Sequence, residues 1–122
     1  MFLESRLFKE FFLILKEMSQ ANKIPVYAYC FMPDHLHILI GVSEKIGVVD
    51  FVREFKGLCT KAAWGLGHRG VVWQRSFYDH CLRDDEGVRE AAEYILNNPV
   101  RTGLVGDWKA YSYSGSLVWE LR

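Results

Sequence analysis

Two histidines separated by one leucine are the first residues in this sequence whose types and spacing could do chemistry. His35 and His37 stand in a short apolar, β-branched run that is typical of a strand. Because residues two apart on a strand point to the same face, both imidazoles are expected to project together and could share one metal ion. The residues between and after them are expected to face the core. Two histidines on a solvated sheet face are an equally good interpretation of this short pattern.

A tyrosine on a predicted helix is the second such group. Gly87, Ala91, Tyr94 and Asn98 follow one another at spacings of four, three and four residues, which places them on one helix face. The small neighbours leave room for a polymer backbone to approach the Tyr94 phenol. A phenol can attack a phosphodiester to form a covalent phosphotyrosine, and a divalent cation on two imidazoles can polarise that phosphate. The alternative is a tyrosine half-buried against a sheet, which is the usual place of a helical aromatic.

A basic and aromatic segment between residues 53 and 83 is the third. It carries six Lys or Arg residues against two acidic ones, although the net charge of the whole chain is zero. Basic side chains interleaved with aromatic ones suit a groove for single-stranded nucleic acid. A solvated helix face followed by core aromatics is the alternative. The candidates for contacts to a DNA backbone are Lys56, Lys61, Arg69 and Arg75.

The elements that must position these residues follow from the apolar periodicity. Helical spacing covers residues 6–21, 47–64 and 86–97, and strand-like composition covers 24–31, 35–42 and 76–82. A turn at residues 32–34 makes the first two strands an antiparallel hairpin. The order predicts an α+β fold, a ferredoxin-like antiparallel sheet with helices packed on it. Residues 1–122 are expected to form one domain.

Composition limits the other classes of protein. Half of the residues are hydrophobic, which supports a packed core and argues against disorder. No stretch is apolar for long enough to span a bilayer, and the first residues do not resemble a signal peptide. A cytoplasmic protein is therefore expected. The three cysteines are widely spaced and odd in number, which predicts three reduced thiols: Cys30, Cys59 and Cys81.

Three segments in this order resemble the REP-associated branch of the single-tyrosine HUH transposases. Residues 32–40 (MPDHLHILI) are similar to the histidine-hydrophobe-histidine signature of that family. Residues 73–80 (WQRSFYDH) are similar to its central segment, and residues 94–105 (YILNNPVRTGLV) to its tyrosine helix and the exit from it. The tail at 107–114 (DWKAYSYS) also fits, so the resemblance covers about residues 8–116.

This resemblance implies a function and a set of roles. The family cleaves and rejoins single-stranded DNA through a 5′-phosphotyrosine, with Mg²⁺ or Mn²⁺, and its branch recognises small DNA hairpins. By position, Tyr94 matches the nucleophile, while His35 and His37 match the metal ligands. Asn98 stands where related enzymes carry a third polar ligand, often a glutamine. Related enzymes differ in whether they act as dimers, so a homodimer stays open.

One departure from the family concerns the first strand. Members begin with a strand before the first helix, whereas the predicted helix here starts almost at Met1. That strand would lie centrally, beside the histidine strand, and a sheet without it is expected to expose unpaired edges.

There are two alternatives to an active transposase. One is a catalytically inactive remnant that binds hairpin DNA. The other is an RNA-binding ferredoxin-like module that stacks bases on Tyr27, Tyr29 and Phe31.

Overall fold

The computed structural model describes residues 5–33, 35–68, 75–81 and 86–119, with the backbone alone at residues 75–81 and at Glu86. The helices, strands and one 3₁₀ turn in these segments are, in chain order, α1 (Ser5–Asn22), β1 (Val26–Phe31), β2 (His35–Gly41), α2 (Val48–Gly65), β3 (Arg75–Cys81), α3 (Glu86–Leu96), α4 (Asn98–Arg101), the 3₁₀ turn (Trp108–Ala110) and β4 (Ser114–Gly115).

The helices form where the periodicity predicts them. In α1 the apolar residues Leu7, Phe11, Leu15 and Met18 recur every three or four positions, and all four are buried. The helix ends where the Asn22 side chain donates to the Met18 carbonyl. Among the described residues, no helix combines the length and the apolar character that crossing a membrane requires.

One detail of the second helix differs from the prediction. The expected apolar face of α2 included Val49, but this side chain is 54% exposed. Val52 and Phe55, on the same predicted face, are buried as expected. Asp84 and Asp85, predicted to cap the third helix, lie outside the described residues.

The strands form a four-stranded sheet in the order β3-β2-β1-β4. β1 pairs antiparallel with β2 in the predicted hairpin, and the short β4 pairs antiparallel with the other edge of β1. These three antiparallel strands confirm the α+β prediction. β3 differs, because it pairs parallel with β2 from His35 to Gly41. It thereby covers the edge of the histidine strand that was expected to be unpaired.

The core has two parts, one on each face of the sheet. Helices α1 and α2 cover one face, where the buried aromatic side chains are Phe11, Tyr29, Phe31, Phe51 and Phe55. Helix α3 covers the other face with Val88, Ala92, Ile95 and Leu96, the apolar stripe expected of it. The sheet is therefore a middle layer, and any side chain of β2 belongs to one of two distinct environments.

Two buried thiols in this core should lower the free energy of unfolding at alkaline pH. Cys30 and Cys59 are free, as predicted, and both are buried, while the side chain of Cys81 lies outside the described part. Burial raises the pKa of Cys30 from 9.0 to about 12, and it raises the pKa of Cys59 further. Above pH 9 the unfolded chain therefore loses protons that the folded chain keeps, so the free energy of unfolding should decrease. Each thiol contributes a slope of up to about 1.4 kcal/mol per pH unit.

Urea unfolding between about pH 8 and about pH 10 measures this slope. The Cys59→Ala variant removes one titrating group, so its stability should decline less steeply with pH than that of the wild type. An equal slope in the two proteins would contradict the assignment.

Candidate functional site

The two histidines of β2 project from one face of the sheet. Their ring centroids are 4.9 Å apart and their planes meet at 79°. His37 lies opposite Cys30 of β1 in the register, and Cys30 belongs to the core beneath α3. Leu36 and Ile38 are buried on the other face, against α1 and α2. The strand spacing thus predicted the orientation correctly, and both imidazoles remain half-buried rather than sealed in the core.

Asn98 brings a third polar side chain to this pair. Helix α3 ends at Leu96, and after a turn at Asn97 the chain starts the single turn of α4, with Pro99 in its first positions. This break directs the Asn98 side chain inward, where it is 6% exposed. Its Nδ2 lies 3.4 Å from Nε2 of His35. The amide and the two imidazoles therefore form one polar cluster, the His–Asn cluster (His35, His37 and Asn98).

Tyr94 lies in the last turn of α3 and is 64% exposed. The alternative of a tyrosine half-buried against the sheet is therefore wrong. The predicted shared face of Tyr94 and Asn98 also needs a correction. Because the helix is interrupted after Leu96, the Tyr94 ring reaches solvent while the Asn98 side chain is buried. The phenol is consequently accessible to a large substrate beside the His–Asn cluster.

Arg101 connects these groups, and sequence reasoning did not single it out. Its Nη1 donates to the Tyr94 carbonyl at 2.6 Å, and its Nη2 donates to Asn98 Oδ1 at 3.3 Å. The guanidinium carbon also lies 3.7 Å from the centre of the Tyr94 ring, a cation–π contact. A signal was present in the sequence, because residue 101 follows residues 94 and 98 by seven and three, a helical spacing.

The residues beneath the His–Asn cluster are apolar, and the thiol of Cys30 among them is protonated. Burial raises the pKa of the Cys30 thiol to about 12, and the nearby charge of Arg101 only partly opposes this. Beside it, the Tyr111 hydroxyl donates to the Phe31 carbonyl at 2.6 Å, and burial raises the pKa of Tyr111 above its usual range. Cys30 is therefore protonated at neutral pH.

The donor set fits a hard or borderline divalent cation with open coordination positions. Within the described segments, no three His, Cys, Asp or Glu side chains come together as a metal site. Among the side chains that the structure describes, a cation here would take two imidazole nitrogens and the amide oxygen of Asn98. Such a small set cannot enclose an ion, so water or a phosphate oxygen would complete its coordination.

Two of the predicted DNA contacts lie away from the histidines. Lys56 and Lys61 are on α2, which packs on the sheet face opposite the His–Asn cluster. Lys61 is exposed and Lys56 is half-buried. Arg69 and the side chain of Arg75 lie outside the described residues. The structure therefore does not bring Lys56 or Lys61 next to the histidines.

The aromatic residues of β1 are unavailable for stacking on a nucleic acid. Tyr27, Tyr29 and Phe31 are all less than 10% exposed. They are also divided between the two faces, with Tyr27 beneath α3 and the other two beneath α1 and α2. Because base stacking needs open rings on one face, this geometry argues against the RNA-binding alternative.

Comparisons with known proteins give one family. The sequence model described as "Transposase IS200 like" matches residues 2–98. A Haemophilus influenzae protein with the name "Putative REP-associated tyrosine transposase" is 30% identical over 117 residues, which cover 86% of this chain and 66% of that protein. The REP-associated tyrosine transposase of Escherichia coli K12 is 28% identical over 95 residues, which cover 75% and 56%.

A second Haemophilus influenzae protein, whose name assigns it no function, is 29% identical over 102 residues, covering 64% of this chain and 56% of that protein. The chain therefore matches between about half and two thirds of the length of these relatives. No solved structure matches the chain.

Proposed function

Because the chain belongs to the family of IS200-like transposases, we propose that it cleaves and rejoins single-stranded hairpin DNA through a 5′-phosphotyrosine. The observation that carries this proposal is the placement of an exposed tyrosine, Tyr94, at the end of the helix that leads directly into the His–Asn cluster. A phenol available to a polymer supplies the nucleophile that the reaction needs. A cation site that includes Asn98, four residues after Tyr94, would supply the electrophilic assistance.

Tyr94 is the nucleophile in this proposal. Its phenol oxygen attacks the phosphorus of the scissile phosphodiester, and the bond from phosphorus to the 3′ oxygen breaks. The phenol proton passes to water, and the leaving 3′ oxygen takes a proton from water. Rejoining is the reverse, because a 3′ hydroxyl attacks the phosphotyrosine and regenerates the phenol. Arg101 lies over the Tyr94 ring, so its charge is close to the phosphate under attack.

His35, His37 and Asn98 hold Mg²⁺ or Mn²⁺ in this proposal. The bound cation would polarise the phosphate and stabilise the charge that develops on it. The protein contributes the fixed orientation of the imidazoles, since β2 lies between two paired strands. It also contributes an apolar floor beneath them, which excludes water from one side of the site.

The surroundings of the DNA are part of the same proposal. Lys56 and Lys61 are assigned to phosphates that flank the hairpin, because α2 lies across the sheet from the His–Asn cluster. Arg69 and Arg75 are assigned to DNA phosphates as well, and the backbone of Arg75 pairs with that of His35. We further propose that the protein acts in the cytoplasm and that a homodimer is its candidate assembly. A catalytically inactive remnant that binds hairpin DNA is the alternative.

A covalent adduct decides between the enzyme and the inactive remnant. The protein is incubated with end-labelled single-stranded hairpin DNA and Mn²⁺, and the products are separated under denaturing conditions. We expect a protein–DNA band that depends on Mn²⁺ and is lost with the fully paired duplex of the same sequence. Hairpin binding without any adduct would contradict the proposed reaction and support the remnant.

The Lys61→Ala variant tests the contacts from α2. A lysine that contacts phosphate releases counterions, so its loss should weaken binding to all hairpin sequences alike. The slope of log affinity against log salt concentration should become shallower by about 1. Fluorescence anisotropy over a salt series measures both quantities. Lys16→Ala, an exposed lysine on α1, is the matched control, and equal effects from the two variants would contradict the assignment.

A further inference from the structure

The amide of Asn98 is oriented by a residue outside the His–Asn cluster. Its Oδ1 accepts a hydrogen bond from Arg101 Nη2, and its Nδ2 lies beside His35 Nε2. Because a guanidinium can only donate, the amide atom that faces Arg101 is the oxygen. The amide nitrogen then faces Nε2 of His35.

This orientation is the wrong one for binding a cation. An amide ligates a divalent ion through its oxygen, since the nitrogen has no lone pair available for coordination. Here the Asn98 oxygen is engaged with Arg101 and the amide nitrogen is beside His35. For Asn98 to act as a ligand its amide must turn over, which places the amide nitrogen opposite Arg101, donor against donor. Ligation by Asn98 and its bond to Arg101 therefore exclude each other.

We propose that the Arg101–Asn98 hydrogen bond is a latch that couples cation binding to DNA phosphate binding. With the latch closed, Arg101 holds the Asn98 oxygen and cation binding is weakened. A phosphate that takes over the guanidinium opens the latch and frees the amide to turn. In the proposed reaction, the phosphate that Tyr94 attacks would come close to Arg101, because the same guanidinium lies 3.7 Å from the centre of the Tyr94 ring. This inference rests on the proposed function for the identity of the cation site and of the phosphate.

Mn²⁺ binding without DNA tests the latch independently of cleavage. Isothermal titration compares the wild type with Arg101→Met, Asn98→Ala and the double variant. Methionine keeps an apolar chain over the Tyr94 ring but cannot donate a hydrogen bond. We expect Arg101→Met to bind Mn²⁺ about 3-fold to 10-fold more tightly than the wild type, the range of one net hydrogen bond.

The coupling between the two substitutions is the decisive quantity, because removing a positive charge by itself strengthens cation binding. That electrostatic gain persists when Asn98 is alanine, whereas a gain from opening the latch does not. We therefore expect Arg101→Met to raise Mn²⁺ affinity markedly less in the Asn98→Ala background. An equal gain in both backgrounds would overturn the latch, and so would the absence of Mn²⁺ binding in the wild type and in Arg101→Met.

A second measurement adds hairpin DNA under conditions without cleavage. In the Tyr94→Phe background, hairpin DNA should raise Mn²⁺ affinity, and the additional Arg101→Met change should remove most of that increase. An unchanged increase would overturn the coupling to phosphate. The two proposals fail separately. If the protein forms an adduct but the Arg101 and Asn98 substitutions show no coupling, only the latch is refuted. If the substitutions are coupled but no adduct forms, only the strand-transfer reaction is refuted.

Discussion

Replacing Tyr94 with phenylalanine is expected to abolish adduct formation with hairpin DNA, by about a thousandfold or more, as for the loss of any essential nucleophile. Phenylalanine keeps the ring that lies beneath the Arg101 guanidinium and deletes only the attacking oxygen. Because the side chain is largely exposed, the fold should be unaffected. Hairpin affinity, measured by anisotropy, should stay within about twofold of the wild-type value.

Tyr113→Phe is the matched control for this prediction. Its ring packs against Phe8 at a centroid distance of 4.9 Å, in the core on the other face of the sheet. Deleting its hydroxyl should leave the adduct yield unchanged. Peptide mapping of the wild-type adduct should place the nucleotide on Tyr94. A nucleotide mapped to another tyrosine, or an adduct that persists in Tyr94→Phe, would refute the proposed nucleophile.

Replacing either His35 or His37 with alanine should remove both Mn²⁺ binding and DNA cleavage. Each imidazole would supply one ligand of the proposed set of His35, His37 and Asn98, so its loss should weaken Mn²⁺ binding by at least about a hundredfold, more than changes in outer-shell partners do. Both side chains are half-buried at the edge of the core, so the melting temperature should change by only a few degrees, about what 1 kcal/mol produces in a domain of this size.

His68→Ala controls for the loss of an imidazole as such. His68 follows α2, and its backbone N–H bonds to the Ala63 carbonyl, whereas α2 packs on the opposite sheet face from the histidine pair. Its replacement should leave Mn²⁺ affinity at the wild-type value. If His35→Ala and His37→Ala keep that affinity as well, the cation does not bind at this pair and the metal assignment fails.

The local parts of the fold were predictable from the sequence because their causes are local. The apolar stripes of α1 and α3 specify which side chains are buried, and the period of two in β2 specifies the sheet face to which each side chain belongs. The turn after Phe31 specifies the antiparallel hairpin, and with it the common face of His35 and His37. These features depend on residues only a few positions apart, so the sequence contains the whole reason for them.

Two other features depend on contacts that the sequence pattern does not specify. The parallel pairing of β3 with β2 joins Arg75 to His35, and nothing in the composition of β3 selects that partner or direction. The role of Arg101 depends on the break after Leu96, which turns Asn98 inward and leaves Tyr94 outside. Pro99 signalled the end of the helix, but the direction of the chain beyond it was set by tertiary packing.

The pairing of β1 with β4 has a consequence for synthesis in the cell. Tyr29 and Cys30 pair with Gly115 and Ser114, and the Phe31 carbonyl accepts a hydrogen bond from the Tyr111 hydroxyl, 80 residues later in the chain. All six residues of β1 are buried in the finished fold. While the chain emerges from the ribosome, this apolar strand has one edge open until residues 111–115 have been synthesised. Until then this strand is exposed to aggregation, and this is the interval in which chaperones bind such segments.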